Sequence, residues 1–464
     1  MSLTRQAAYD QLRALLDFID VLRPAVTRPG FENLLCVFAG WVLTGGPHAV
    51  TQALVATDVA RRVHHERFHR FFSRGAWSPD EIGRLLFERL LRWVEGPIHV
   101  AIDDTLTPKK GPHVFGIGSH LDAVRSTKRF RVFCFGHVWV VLSVVVHFPF
   151  SRRPWALPVL FRLYRNEKEC LAKAHPYRKK TQLGRDLVDL VVGWAAGRAV
   201  HAAVDSAYCN DTLTRGLDAS VTVFGAMRPD AVLTAPPTDA ERKATGRRRK
   251  RGKILPKPQQ LFESDRYPWQ TCQAELYGRR RRVQYKTIEA QWYRGSGTGL
   301  VRVVVVRVAV GSIGFRVFLC TDPTLSVTKV LETYAGRWAI EVCFRDLKQQ
   351  LGFADSSARK KAAVERTAPF VGYIYTTLVL WFAQDAWRTD IAAPPLRPWY
   401  RHKSGSCFAD ILRAAQRALA PLDVLDPAST LDNLRLAAAL STPSRAARRS
   451  PHAPVARTAL RPAA

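Results

Sequence analysis

The apolar run VWVVLSVVVHF at 138–148 constrains the fold of this chain more than any other segment. It is too short to cross a bilayer as a helix. Six of its residues are valine, and β-branched side chains favour a strand. The run therefore reads as a buried strand, extending back through RVFCFGH with a break expected at Gly136. Around it, PIHVAIDD, ALPVLFRLY, HAAVDSAY and SVTVFGAMR read as further strands. Between ALPVLFRLY and HAAVDSAY, RKKTQLGRDLVDLVVGWAAG is an amphipathic helix, with Leu183, Leu187, Leu190, Val191 and Trp194 along one face. Three strands precede any helix, which predicts antiparallel pairing first. Strands alternating with helices follow, which predicts parallel additions.

Helical patterns flank this region. YDQLRALLDFIDVL and EIGRLLFERLLRWV repeat apolar residues at helical spacing, and Ser78-Pro79-Asp80-Glu81 is a good helix start. Between them, RRVHHERFHRFFSRGAW mixes basic and aromatic residues. It reads equally as a solvated helix face with aromatic anchors or as a DNA-contacting helix. Residues 229–312 hold Pro-rich connections, the run ATGRRRKRGKILPKPQQ, the cluster RRRR at 279–282 and two β-rich segments. They predict an inserted, basic, mostly β subdomain whose tip at 240–258 is disordered without a partner. SIGFRVFLCTD at 312–322 then returns to the main sheet. Residues 360–387 predict a buried helix, followed by a linker, two shorter helices within 407–440 and a disordered tail from Thr442.

Charge narrows the partners. Lys and Arg number 70 against 39 acidic residues, a formal net charge of +31. Such an excess repels itself in a compact chain, and a polyanion, first of all nucleic acid, is the usual reason to carry it. No basic amphipathic helix with an aromatic apolar face suggests a membrane surface. The start, MSLTRQAAYDQL, lacks the charged-then-apolar order of a signal peptide, so a cytoplasmic protein is expected. The eight cysteines show neither C-x-x-C nor zinc-finger spacing and read as buried thiols of a reducing compartment.

Two sets of residues could carry chemistry. Tyr334, Arg337, Glu341 and Lys348 fall at offsets of 3, 7 and 14 residues within TYAGRWAIEVCFRDLKQQLGF. On one helix they would share an arc of roughly 60°. That stripe offers a carboxylate for a metal and three groups for phosphate oxygens. Asp103 and Asp104 end the first strand and Asp205 ends the fourth. Bare carboxylates at the edge of a dry core are costly, and a shared divalent cation would offset the cost. Plainer readings exist. An Asp after a strand often caps a turn, and Arg337–Glu341 could be a surface ion pair worth about 0.2–0.5 kcal/mol.

The pattern Y-x2-R-x3-E-x6-K, present as Tyr334, Arg337, Glu341 and Lys348, resembles the signature of bacterial insertion-sequence transposases of the DDE superfamily, the Y-R-E-K group. AIDDT is similar to that family's first catalytic motif, in which the Asp directly before Thr is the ligand, and VDSAY to its second. The resemblance implies an α/β fold: an RNase H-like mixed-sheet core with a β-rich insertion, plus N-terminal and C-terminal helical regions. The implied divisions are a DNA-binding domain at 1–95, core at 96–228, insertion at 229–312, core with the Glu helix at 313–390, a helical, dimerising region at 391–441 and a tail at 442–464. Asp104, Asp205 and Glu341 would hold two Mg2+ ions, with Mn2+ able to substitute. Tyr334, Arg337 and Lys348 would contact DNA phosphates. The implied reaction is cleavage at transposon ends and strand transfer into target DNA, by a homodimer acting in the nucleoid. Relatives that form a DNA hairpin stack a flipped base on an aromatic residue of the insertion, for which Trp269 and Trp292 qualify by type. The competing readings are another RNase H-like nuclease, a non-catalytic DNA-binding derivative, and a transcription regulator.

Overall fold

The computed structural model describes residues 5–111, 113–243, 249–310, 312–395, 399 and 405–420. Five helices open the chain: α1 (Arg5–Asp20), α2 (Arg28–Leu43), α3 (Val50–Ala56), α4 (Glu66–Ser73) and α5 (Pro79–Leu90). The Thr27 side chain accepts the Gly30 N–H to start α2, with proline in the first turn. α5 starts at Ser78, where the sequence placed it, although the serine side chain makes no capping bond. In and after α4, Phe68, Phe71, Phe72 and Trp77 are buried. Phe71 and Phe72 meet Phe370 edge-on at 6.2 and 5.3 Å. The aromatic residues of this basic segment are thus core anchors, while Arg61, Arg62, His64, His65 and Arg70 face solvent.

The sheet begins with β1 (Ile98–Pro108), β2 (Gly118–Leu121), β3 (Phe133–Val146) and β4 (Trp155–Tyr164). β1, β2 and β4 all pair with β3 antiparallel. After α6 (Glu167–Ala172) and α7 (Lys180–Trp194), β5 (Val200–Val204) lies parallel to β1. The single turn α8 (Asp211–Thr214) leads to β6 (Val221–Ala226), parallel to β5. Antiparallel pairing first and parallel additions later is the order that the sequence predicts, and the mixed α/β class with its RNase H-like sheet holds. Two local expectations fail. β3 does not break at Gly136: a Cβ there would lie 2.2 Å from the Thr107 carbonyl oxygen, so glycine lets β1 approach. β1 also does not stop at Asp104 but continues to Pro108 along β3.

The insertion extends this same sheet. It contributes β7 (Leu233–Thr234), α9 (Asp239–Lys243), β8 (Ile254–Leu255), α10 (Pro258–Glu263), β9 (Gln270–Leu276), β10 (Arg279–Gln291), α11 (Tyr293–Ser296) and β11 (Leu300–Val310). β12 (Ser312–Cys320) pairs with β11 on one side and β6 on the other, so the expected return to the main sheet is present. The order β2-β3-β1-β5-β6-β12-β11-β10-β7-β8 is continuous, with β4 on β3 and β9 on β10. Of the tip expected to be disordered, 244–248 lie outside the described residues. Its flanks are structured because β8 pairs with β7 and the Ala235 N–H donates to the Lys253 carbonyl at 2.8 Å.

The chain then forms α12 (Val327–Gly336), α13 (Trp338–Gln350), α14 (Lys361–Gln384) and α15 (Phe408–Leu419). α14 is buried along most of its length, as its apolar sequence predicts. One apolar core runs from Leu12 of α1 through the sheet to Leu419 of α15. Contact is close: a Cβ on Gly83 of α5 would lie 2.0 Å from the Val159 carbonyl oxygen of β4. Trp41 Nε1 donates to the Leu351 carbonyl at 2.9 Å, and the Tyr373 hydroxyl to that of Pro79 at 2.8 Å. The predicted helix TLDNLRLAAAL, the tail from Thr442 and most of the linker at 396–404 lie outside the described residues. Among the described residues, no helix is long and apolar enough to cross a membrane. The eight cysteines are not uniformly buried: Cys134 and Cys272 are partly exposed and Cys407 is exposed.

Candidate active site

The four-residue stripe does not lie on one helix. α12 ends at Gly336 and α13 starts at Trp338, with Arg337 at the joint. The Arg337 N–H donates to the Tyr334 carbonyl at 3.1 Å and the Ile340 N–H to the Arg337 carbonyl at 2.9 Å. These three-residue turns are tighter than α-helical ones, and Gly336, a poor helix former, precedes them. Tyr334 therefore closes one helix, while Glu341 and Lys348 ride on the next.

Arg337 is the hub. Its Nη1 donates to Asp103 Oδ2 at 2.9 Å and its Nη2 to Glu341 Oε1 at 2.8 Å. The guanidinium lies 5.6 Å from the centre of the Tyr334 ring, and only 10% of its side chain is exposed. Its Nε is buried without a hydrogen-bond partner. The plain surface pair considered from sequence is thus a half-buried three-residue ion chain. Burial pushes the Asp103 carboxyl up to about 7; Arg337 pulls it down and Asp205 pushes it up further. Burial also raises the Tyr334 phenol.

Strand alternation sends the next carboxylate the other way. Asp104 Oδ2 accepts from Lys180 Nζ, in the first turn of α7, at 2.7 Å. Asp104 Oδ1 accepts from the Tyr208 hydroxyl at 3.1 Å. Burial, and then the charge of Asp104, drives that phenol far up. Asp205 directly follows β5, at the strand end expected of it. Its Oδ1 accepts the N–H groups of Ala207 at 2.9 Å and Tyr208 at 3.1 Å, so it does cap a turn. β1 pairs with β5 only as far as Ile102 and Val204. Asp103, Asp104 and Asp205 therefore gather where β5 stops, although the first two lie within a strand rather than at its end.

Lys348 sits seven residues beyond Glu341, about 10 Å along the helix axis. Burial draws its ammonium down, and the charge of Asp122 opposes this. Trp269 is packed against Phe262 at 5.7 Å, with Lys286 Nζ 4.7 Å from its ring centre. Trp292 precedes α11 and packs on Gly295.

The donor chemistry suits a hard divalent cation: Asp103, raised chiefly by burial, is raised further by the carboxylate of Asp205. As arranged, the Arg337 guanidinium stands between Asp103 and Glu341, and among the described residues no three ligand-type side chains are grouped for a metal. Sequence reading missed Lys180, Tyr208 and an aromatic pair, Tyr277 with Trp338. Those two rings are exposed, with centres 6.3 Å apart and planes at 88°. Tyr277 and Gly278, at φ of 56° and 74°, form the turn between β9 and β10. A two-residue turn with both φ positive is the favoured hairpin link. Gly278 is the signal that could have found it.

A family model described as DDE superfamily endonuclease matches residues 21–298. That span includes Asp103, Asp104 and Asp205 and ends before Tyr334. No curated protein matches the chain. Among solved structures, the piggyBac transposase synaptic complex with hairpin DNA is similar at a TM-score of 0.43 and 10% identity, covering 95% of this chain and 87% of that one.

Proposed function

Because the chain belongs to the DDE superfamily endonucleases, we propose that it is a DNA transposase, of the bacterial insertion-sequence Y-R-E-K group, that cuts transposon ends and joins them to target DNA. The observation that carries this reading is the ion chain Asp103–Arg337–Glu341 beside Asp205. A net charge of +31 supports a polyanionic substrate.

Asp205 and Glu341 are the proposed metal ligands, with one aspartate of β1. The family resemblance points to Asp104. The geometry favours Asp103, which shares Arg337 with Glu341, whereas Asp104 is engaged by Lys180 and Tyr208. Two Mg2+ ions held there, or Mn2+ in their place, would activate the attacking oxygen and stabilise the leaving one. The chain's own groups orient the DNA. Arg337 exchanges a carboxylate for a phosphate, which its fork binds in two-point fashion, while Lys348 acts as a point charge and Tyr334 as a hydroxyl donor. In cleavage, water forms the new P–O bond, the bond to the 3′-oxygen breaks, and that oxygen leaves as a hydroxyl. In joining, the 3′-hydroxyl attacks a target phosphodiester and a target 3′-hydroxyl departs. Pairing two ends calls for a homodimer in the DNA complex.

The test is cleavage of a duplex carrying the inverted repeats that flank this gene, with Mg2+ present. Asp205→Asn and Glu341→Gln are expected to lower cleavage at least about 100-fold while keeping DNA binding. Wild-type cleavage by Glu341→Gln would sink the proposal. Comparing Asp103→Asn with Asp104→Asn identifies the third ligand as the one whose loss is complete.

A further inference from the structure

Between β1 and β3 the chain leaves the sheet and closes a finger over residues 122–132, rooted on β2 and β3. The finger exposes what a chain normally hides. Phe130, Phe133 and Phe135 are 69%, 62% and 66% exposed, and Val124 is 95% exposed. Burying such rings is favourable, so three left in solvent ask for an occupant. Phe133 and Phe135 share one face of β3 by alternation. Arg125, Lys128, Arg129 and Arg131 are exposed between and beside them.

The finger is built rather than loose. The Asp122 N–H donates to the Val132 carbonyl at 2.9 Å, and the Thr127 N–H to the Phe130 carbonyl at 2.8 Å. Asp122 Oδ1 accepts the N–H groups of Val124 and Arg125 at 3.0 and 3.1 Å, and Ser126 Oγ accepts the Val132 N–H at 3.0 Å. Its root adjoins the candidate site: the His120 ring of β2 lies 5.8 Å from that of Tyr164, and Lys180, which donates to Asp104, lies 5.5 Å from the same ring.

Cations interleaved with open aromatic faces match a strand of nucleic acid, whose phosphates and bases alternate in the same way. A second copy of this chain would satisfy the phenylalanines but would bring four more cations and another +31 of charge to the contact. An intact duplex presents phosphates but no base faces. We propose that this finger binds DNA with unpaired bases beside the cut, stacking them on Phe130, Phe133 and Phe135 while Arg125, Lys128, Arg129 and Arg131 hold the phosphates. The proposal rests on the transposase reading and adds to it a site for opened DNA.

The test uses the full chain and a forked duplex with 2-aminopurine in its unpaired arm, against a blunt duplex of the same sequence. Wild type is expected to quench the 2-aminopurine on binding. The variant Phe130→Ala/Phe133→Ala/Phe135→Ala, with an unchanged thermal midpoint, is expected to lose the quench and bind the fork about tenfold or more weakly, with blunt-duplex affinity kept. Lys128→Gln/Arg129→Gln is expected to flatten the slope of log affinity against log salt by about 1.4. Fork binding and quench that survive the triple substitution overturn the proposal. So does a triple variant that changes only the mass of the DNA-free protein in sedimentation, since the finger would then join two copies. If wild type cleaves its inverted repeats yet the fork results are negative, the finger alone fails. If wild type neither cleaves nor binds DNA, both readings fail.

Discussion

Arg337 neutralises two carboxylates that the fold forces close together, so its loss should be felt in stability as well as in activity. Arg337→Ala leaves Asp103 half-buried beside Asp205 with no cation. Breaking a buried pair costs up to about 3 kcal/mol, and less here to the extent that Asp103, already raised to about 7, takes up a proton instead. Arg337→Lys should recover part of this, since an ammonium is a single point and cannot span both partners as the fork does. Urea titration is the measurement. The loss in Arg337→Ala should shrink when Mg2+ is added, because a divalent cation can take the place of the guanidinium. A loss unaffected by Mg2+ would mean that Asp103 and Glu341 do not share an ion. From the sequence, Arg337 reads as a phosphate contact or as one half of a surface ion pair with Glu341. Its bridge to Asp103 was invisible there because that residue lies 234 residues away.

Elements with a strong period were legible from residue patterns. α5, α7, α14 and strands β3 to β6 follow hydrophobic spacing that is local, so no knowledge of the neighbours was needed. The misses all depend on neighbours. β2 is a four-residue strand recognisable only by its pairing with β3. The extension of β1 to Pro108 exists because β3 continues beside it. The joint at Arg337 divides a sequence whose apolar spacing runs on unbroken. Close seating is testable on α5, where Gly83 lets the helix rest on the β4 backbone. Gly83→Ala should destabilise the fold by about 2–3 kcal/mol despite the better helix propensity of alanine, because the methyl group meets a carbonyl oxygen that cannot give way. A thermal midpoint at or above wild type would show that α5 is not seated this tightly.

Across the whole molecule, buried histidines should set the acid limit of stability. Burial, helped by the charge of Lys329, pushes His99 down to about 3 and His201 to about 4. Burial pushes His137 to about 4. In the unfolded chain each titrates near 6.5. Between that value and about 4, the unfolded chain binds protons that the folded one refuses, so stability falls as pH falls through this window. Asp103 has the opposite sense: held up to about 7, it takes up a proton in the folded state first. Three histidines outweigh it. Urea midpoints at successive pH values from 7.5 to 5 should fall, and a flat profile would contradict the burial of these rings. The same scale separates two kinds of information. Composition and local spacing were enough for a basic α/β chain with aspartates following apolar runs and a four-residue signature, because charge, apolar period and turn residues act over a few neighbours. Which aspartate shares Arg337 with Glu341 was a matter of strand register, since a shift of one residue reverses every side chain. Likewise, the place of Arg337 between two carboxylates arose from segments far apart in sequence, brought together only when the helices packed against the sheet.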